Sequence, residues 1–358
     1  MSKKVHEDFW RGRRVFVTGH TGFKGSWLCL WLQSMGAHVR GIALTPPTNP
    51  SLFEVASVAG GMESIVLDIR DYANVRTSME DFKPEVIFHM AAQPLVRRSY
   101  DEPLETYSTN LMGTLHILEA ARFVGTVKSI VNVTTDKCYE NKEWVWGYRE
   151  DEPMGGHDPY SSSKGCVEIA SNAYRKSFLA DCGISLATAR AGNVIGGGDW
   201  AADRLIPDIL RSLEEKKPVI IRNPCAKRPW QHVLEPLSGY LMLAEYLFCE
   251  GQIYAEGWNF GPVDEDCRTV QSIVDKVCSA WGDTATFVVD DKKQPHEANL
   301  LKLDISKARH RLGWEPTWQL SKSIENIVQW HKSWLIGQDM RLVCLEQIEQ
   351  YCALQNVQ

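Results

Sequence analysis

Short apolar runs that alternate with amphipathic stretches, a glycine-spaced turn inside the first such pair, and a looser pattern after Gly192 together predict an α/β fold. The expected architecture is a Rossmann-type doubly wound parallel sheet with a smaller C-terminal substrate lobe. Arg14–Thr18 reads as a buried strand, and the helix after it spans 26–35 around Trp27, Leu28, Leu30, Trp31 and Leu32. Further strands are expected at 37–44, 64–67, 85–90, 129–134 and 185–189, with helices filling 71–82, 104–123 and 160–180. Beyond Gly192, the runs Gly196-Gly197-Gly198, Lys217-Pro218 and Asn223-Pro224 mark loops. The stretch 235–249 returns as a long apolar helix, so the chain is expected to cross back to the first unit.

Composition narrows the function classes. With 358 residues, 44% hydrophobic and 23% charged, the chain can bury a large core. A net charge of -6 argues against a broad nucleic-acid surface and leaves a small anion as the expected partner. Ten cysteines are scattered without a Cys-x-x-Cys pair, so they read as reduced core thiols, with neither disulfides nor a metal site. No apolar run follows the basic residues near Met1 and none reaches membrane length, so a cytoplasmic protein without a membrane partner is expected.

Two groups of residues propose chemistry. The turn Gly19-His20-Thr21-Gly22-Phe23-Lys24-Gly25 follows a strand and opens a helix, where glycines let backbone amides approach a pyrophosphate. A tight connection without ligand is the plainer alternative, and Lys24 either lends charge to phosphates or is solvated. Tyr160 and Lys164 stand four apart on one helical face, so the ammonium could lower the phenol's pKa and let it take a proton from a sugar hydroxyl. An ordinary amphipathic helix start would look the same. The end of the second strand, Val39-Arg40-Gly41-Ile42, lacks the carboxylate that would bind the ribose of NAD, so Arg40 could accept the 2′-phosphate of NADP instead.

With Asp68-Ile69, Ala91-Ala92, Asn110 to Thr114 and the Tyr160/Lys164 pair following the glycine turn in order, the chain resembles the extended short-chain dehydrogenases/reductases over nearly its whole length. That resemblance implies NAD as cofactor, with NADP not excluded, held by Gly19, His20, Gly22, Phe23, Lys24, Gly25, Asp68, Ile69, Ala91, Ala92, Asn110, Tyr160 and Lys164. Taken singly, Asp68 could be a strand-end turn, Ala91-Ala92 a packing pair and Asn110 a helix-surface amide. The implied domains are 1–191 plus about 232–262 for the dinucleotide, and about 192–231 and 263–358 for a nucleotide sugar.

The segment after the fifth strand, Thr135-Asp136-Lys137, is similar to the Thr-Asp-Glu of nucleotide-sugar dehydratases in that family. There an acid protonates a leaving C6 hydroxyl while a base takes the C5 proton. Lysine replaces the usual glutamate, so Lys137 serves as base only if desolvation and the charge of Lys164 keep part of it neutral. Otherwise it pairs with Asp136 or a substrate phosphate and another group is the base. Asp136 must be protonated, which requires burial or a nearby negative charge. The lysine exchange, with 144–148, 192–200 and 228–233, resembles the dehydratases acting on CDP-linked glucose. CDP-glucose is the implied substrate, and a 4-keto-6-deoxy sugar for lipopolysaccharide O antigen the implied product. Asn193, Arg228 and His296, with Arg204 a weaker candidate, are the implied diphosphate and nucleoside contacts; either arginine could be a surface ion pair and His296 a loop residue. One of Trp144, Trp146, Trp200 and Trp230 could stack on cytosine. The family also implies a homo-oligomer, a dimer or dimer of dimers, built on the helices 104–123 and 160–180. Two rivals stay open: a nucleotide-sugar 4-epimerase, and a non-catalytic dinucleotide-sensing protein.

Overall fold

The computed structural model describes residues 4–221, 223–282, 287–289 and 300–355. Its strands are β1 (Arg14–Thr18), β2 (His38–Ala43), β3 (Glu63–Val66), β4 (Val86–His89), β5 (Ser129–Val133), β6 (Ser185–Ala191), β7 (Asn193–Ile195), β8 (Val219–Ile221), β9 (Lys227–His232), β10 (Gly257–Phe260), β11 (Cys267–Thr269) and β12 (Phe287–Val289). Seven of them form one parallel sheet in the order β10-β6-β5-β4-β1-β2-β3. Every residue of β4, β5 and β6 is buried, the apolar habit of strands covered on both faces. The strand order reverses between β1 and β4, the position where sheets of this kind bind ligands beyond the carboxyl ends of their strands. The six expected strands are present. The seventh, Gly257–Phe260, was not foreseen because four residues containing Gly and Asn carry no readable alternation.

The long expected helices are interrupted. The stretch 104–123 resolves into Pro103–Tyr107, a wide turn at Ser108–Met112 and the helix Gly113–Arg122. The other is Pro159–Tyr174 followed by a second wide turn, Arg175–Leu179. In the lobe, β11-β9-β7 form one small sheet and β12-β8 another, around a core of Ile206, Ile209, Leu210, Val219, Ile273, Val277, Ile324 and Ile327. Among the described residues no helix is long and apolar enough to cross a membrane.

Helix Phe23–Ser34 is buried at every residue from Gly25 to Leu32, so it needs a layer on the side away from the sheet. The helix Met340–Gln355, expected with the sugar lobe, supplies it. Cys344, Ile348 and Tyr351 enter the same core as Trp27 and Trp31, and the Tyr351 and Trp31 rings meet edge to face at 5.7 Å. The buried carboxylate of Glu235 accepts from Tyr351 Oη at 2.7 Å and from the Thr317 and Trp318 amides at 2.9 and 2.7 Å.

Candidate active site

The glycine turn sits where the strand order reverses. Gly19 has φ +76, and a Cβ there would lie 2.8 Å from the Ala91 nitrogen; one on Gly25 would lie 2.2 Å from the Gly19 carbonyl oxygen. Gly22 caps helix Phe23–Ser34 without a side-chain bond, leaving its first amides to an outside acceptor. Together the bare turn and uncapped amides fit a dinucleotide's pyrophosphate. Ala91 N–H donates to Thr18 Oγ1 at 3.0 Å, which seats the Ala91-Ala92 segment against the turn. Asp68 closes on Arg70 at 2.6 Å, and that partner holds its carboxyl below the ordinary range. Ile69 packs against Gly113.

Several turn residues also have partners within the protein. His20 is buried with Nε2 2.7 Å from Ser64 Oγ and its ring beside Phe53; burial lowers it to about 4. Phe23 packs beside Gly196. Lys24 is half-buried, with Nζ donating to Tyr240 Oη at 3.1 Å, and burial with the charges of Lys164 and Arg204 lowers it to about 7. Arg40 is committed to Glu63 at 2.5 Å, Asp81 at 2.7 Å and the Ser78 carbonyl at 3.0 Å, over the Phe82 ring. Its guanidinium is therefore already satisfied by protein, against the 2′-phosphate alternative. Asn110 is no surface amide. Its Oδ1 accepts from Gln93 N–H at 2.8 Å and its Nδ2 donates to Ser163 Oγ at 2.9 Å, tying the segment after β4 to the tyrosine helix.

That helix starts where Asp158 accepts from Ser161 N–H at 2.9 Å, placing Tyr160 in its first turn. Burial pushes the Tyr160 phenol up to about 12, opposed by a hydrogen bond from Thr135 and the field of Arg204. The expected depression by Lys164 is absent, because Lys164 Nζ turns to the Val133 carbonyl at 3.2 Å. Burial brings Lys164 itself down to about 8. Asp136 is 3% exposed, and burial raises its carboxyl above the ordinary range against Lys137, Thr135 and Arg228. Thr135 Oγ1 donates to Asp136 Oδ1 at 3.1 Å and accepts the Lys137 amide at 3.3 Å. Lys137 is half-buried beside them.

The lobe adds the far wall. A Cβ on Gly192 would lie 2.6 Å from Pro229 Cγ and 3.2 Å from Asp136 Oδ2, so the lobe's first loop presses on the acid. Arg204 pairs with Asp199 at 2.9 Å, and its field reaches Tyr160 and Lys24. Arg228, on β9, acts electrostatically on Asp136. Asn193 opens β7 opposite Trp230. His296 lies outside the described residues. Trp200 packs between Trp330 and Trp334, and Trp230 Nε1 donates to the Arg268 carbonyl at 3.1 Å, whereas Trp146 is 68% exposed. Sequence reasoning missed Tyr240 and Asp199. Tyr240 sits in an apolar helix, where the pattern reads as core.

Residues 16–327 match the sequence profile of the GDP-mannose 4,6 dehydratase family. A CDP-glucose 4,6-dehydratase of Salmonella typhimurium is 59% identical over 352 residues, 97% of this chain and 98% of its own. Among solved structures, a UDP-glucose 4-epimerase from Thermotoga maritima superposes with TM-score 0.78 at 23% identity, over 90% of this chain and 99% of its own. A dTDP-glucose 4,6-dehydratase from Streptomyces venezuelae, solved with NAD, does so with TM-score 0.76 at 22% identity, over 89% and 97%.

Proposed function

Since the chain belongs to the GDP-mannose 4,6 dehydratase family, we propose that it is a CDP-D-glucose 4,6-dehydratase, an NAD-dependent hydro-lyase. It converts CDP-D-glucose to CDP-4-dehydro-6-deoxy-D-glucose and water. The Gly19–Gly25 turn, the amides after Gly22 and the Asp68-Ile69 corner would hold the dinucleotide. Bound there, NAD would supply a transient two-electron store for the hydride that passes from C4 of the sugar to C6.

The remaining work falls to side chains. Tyr160 takes the proton of the C4 hydroxyl; the Thr135 hydrogen bond and the positive field of Arg204 favour its phenolate, against burial and the charge of Asp136. Thr135 holds the C4 oxygen. Lys137 takes the C5 proton, and Asp136, its carboxyl raised by burial, gives one to the departing C6 hydroxyl. Asn193, Arg204, Arg228 and His296 receive the nucleoside diphosphate.

The observation that carries dehydration over epimerisation is the solvent-shielded Asp136 beside Lys137, for which a 4-epimerase has no use. The test is incubation with CDP-D-glucose and NAD+, analysed by NMR. A 4-keto-6-deoxy product is expected, while CDP-galactose or unchanged sugar would overturn the reading. We place the enzyme in the cytoplasm, in deoxysugar supply for lipopolysaccharide O antigen. We also read it as a homo-oligomer, since Leu104 and Ile169 on the two candidate helices are 84% and 63% exposed. Light scattering that gave a monomer mass would sink that assembly.

A further inference from the structure

The catalytic face of helix Pro159–Tyr174 carries a third ionisable group that the mechanism leaves without work. Glu168 follows Lys164 by one turn as Lys164 follows Tyr160, and it is 5% exposed. Its Oε1 accepts from Thr134 Oγ1 at 2.5 Å and its Oε2 from Thr188 Oγ1 at 2.6 Å, and Arg190 grips the two oxygens at 2.9 and 2.8 Å. Lys164 Nζ meanwhile holds the carbonyl of Val133. Ammonium and carboxylate thus bind successive residues at the end of β5, which runs straight into Thr135-Asp136-Lys137.

We propose that Glu168 is a positioning residue for the reaction: its carboxylate keeps Lys164 an ammonium and pins Thr134, so that the triplet beyond it faces the tyrosine. The inference rests on the reading of Lys164 as part of the catalytic machinery through its hold on the Val133 carbonyl ahead of the triplet, not through the Tyr160 phenol. Against burial, Arg190 and the two threonine hydroxyls hold the Glu168 carboxyl below its ordinary range, so the group is a fixed negative charge. The other groups facing Lys164 are Tyr160 on its own helix, Cys138 in the turn after β5, His89 on β4 and Lys24 on helix Phe23–Ser34. Burial keeps Tyr160 and Cys138 protonated and lowers His89 to about 3, so all three are neutral near pH 7. Of the charges near Lys164, Glu168 favours its ammonium, partly offset by the Arg190 cation bound to it, and Lys164 in turn disfavours a charge on Lys24.

The experiment is the pH profile of kcat/KM for CDP-D-glucose in the wild type and in Glu168→Gln, Glu168→Asp, Thr188→Val and Lys164→Met. Removing the negative charge lowers the pKa of Lys164, so the alkaline limb of Glu168→Gln should move to lower pH by about one unit. Glu168→Asp should restore that limb, and Thr188→Val should leave it in place while lowering the melting temperature. A limb unmoved in Glu168→Gln overturns the proposal and leaves Glu168 a stabilising residue only. If the unpaired Arg190 prevents that variant from folding, Glu168→Gln/Arg190→Met removes both charges, and a downward move is still required of it, smaller because the lost Arg190 cation offsets part of the lost anion. Lys164→Met separates the two readings. Wild-type turnover there would overturn the role of Lys164 and this inference with it, whereas an inactive Lys164→Met beside an unmoved Glu168→Gln limb overturns the inference alone.

Discussion

The glycine turn and the candidate catalytic pocket meet at Lys24 but are held by different forces. The turn is a steric device: Gly19 lies so close to the Ala91 backbone, and Gly25 to that of Gly19, that only hydrogen fits where the two glycines would carry side chains. The pocket is an electrostatic device, in which Lys24, Asp136, Tyr160 and Lys164 are all displaced from their ordinary pKa values by burial. Steric sites fail by added volume and are indifferent to pH. Electrostatic sites fail by lost charge or proton and respond to pH at every step. Lys24 joins them, belonging to the turn in sequence and to the pocket in space.

The sharpest test of that contrast is Tyr160→Phe, which leaves packing intact and removes one proton carrier. Turnover should fall by roughly 10³-fold or more while NAD affinity, measured by calorimetry, stays within about twofold. Undiminished turnover would strip Tyr160 of its role. Asp136→Asn keeps the shape of the acid without its proton, and kcat should fall by about 10²-fold while Km for the sugar nucleotide changes little. Gly25→Ala should do the reverse. Its methyl meets the Gly19 carbonyl, so NAD affinity should drop by about tenfold or more and the melting temperature with it, equally at pH 6 and pH 9. A pH-dependent loss in Gly25→Ala would break the distinction.

A smaller effect is expected where the last helix docks. Glu235 is raised by burial to about 7, so the folded state binds its proton more tightly than the unfolded chain does. Its stabilising contribution is whole below pH 4.5 and is lost as pH rises toward 7, flat thereafter. The melting temperature of Glu235→Gln should therefore vary less between pH 5 and pH 8 than that of the wild type. Parallel curves would show that Glu235 does not titrate there.

The readable part of the molecule was local. Buried strands, the glycine turn and the Tyr160/Lys164 spacing announce themselves within a few residues, because backbone geometry and helical periodicity act over that range. The acid Asp136 was legible as a residue, and its need for burial as a condition, since the chemistry demands a proton. The direction of Lys24, the diversion of Lys164 to Val133 and the engagement of Arg40 were not legible. Each depends on where a long flexible side chain finds a partner.

What the amino-acid order determined alone was the parallel α/β plan and which residues are candidates for the chemistry, since both follow from short-range pattern and side-chain chemistry. Tertiary structure decided the rest: a seventh strand too short to read, a C-terminal helix seated on Trp31, and a pocket in which Tyr240 lies beside a lysine 216 residues away. Burial and electrostatic coupling are properties of the assembled crevice, so the acidity of each group exists only once distant segments have excluded water from it.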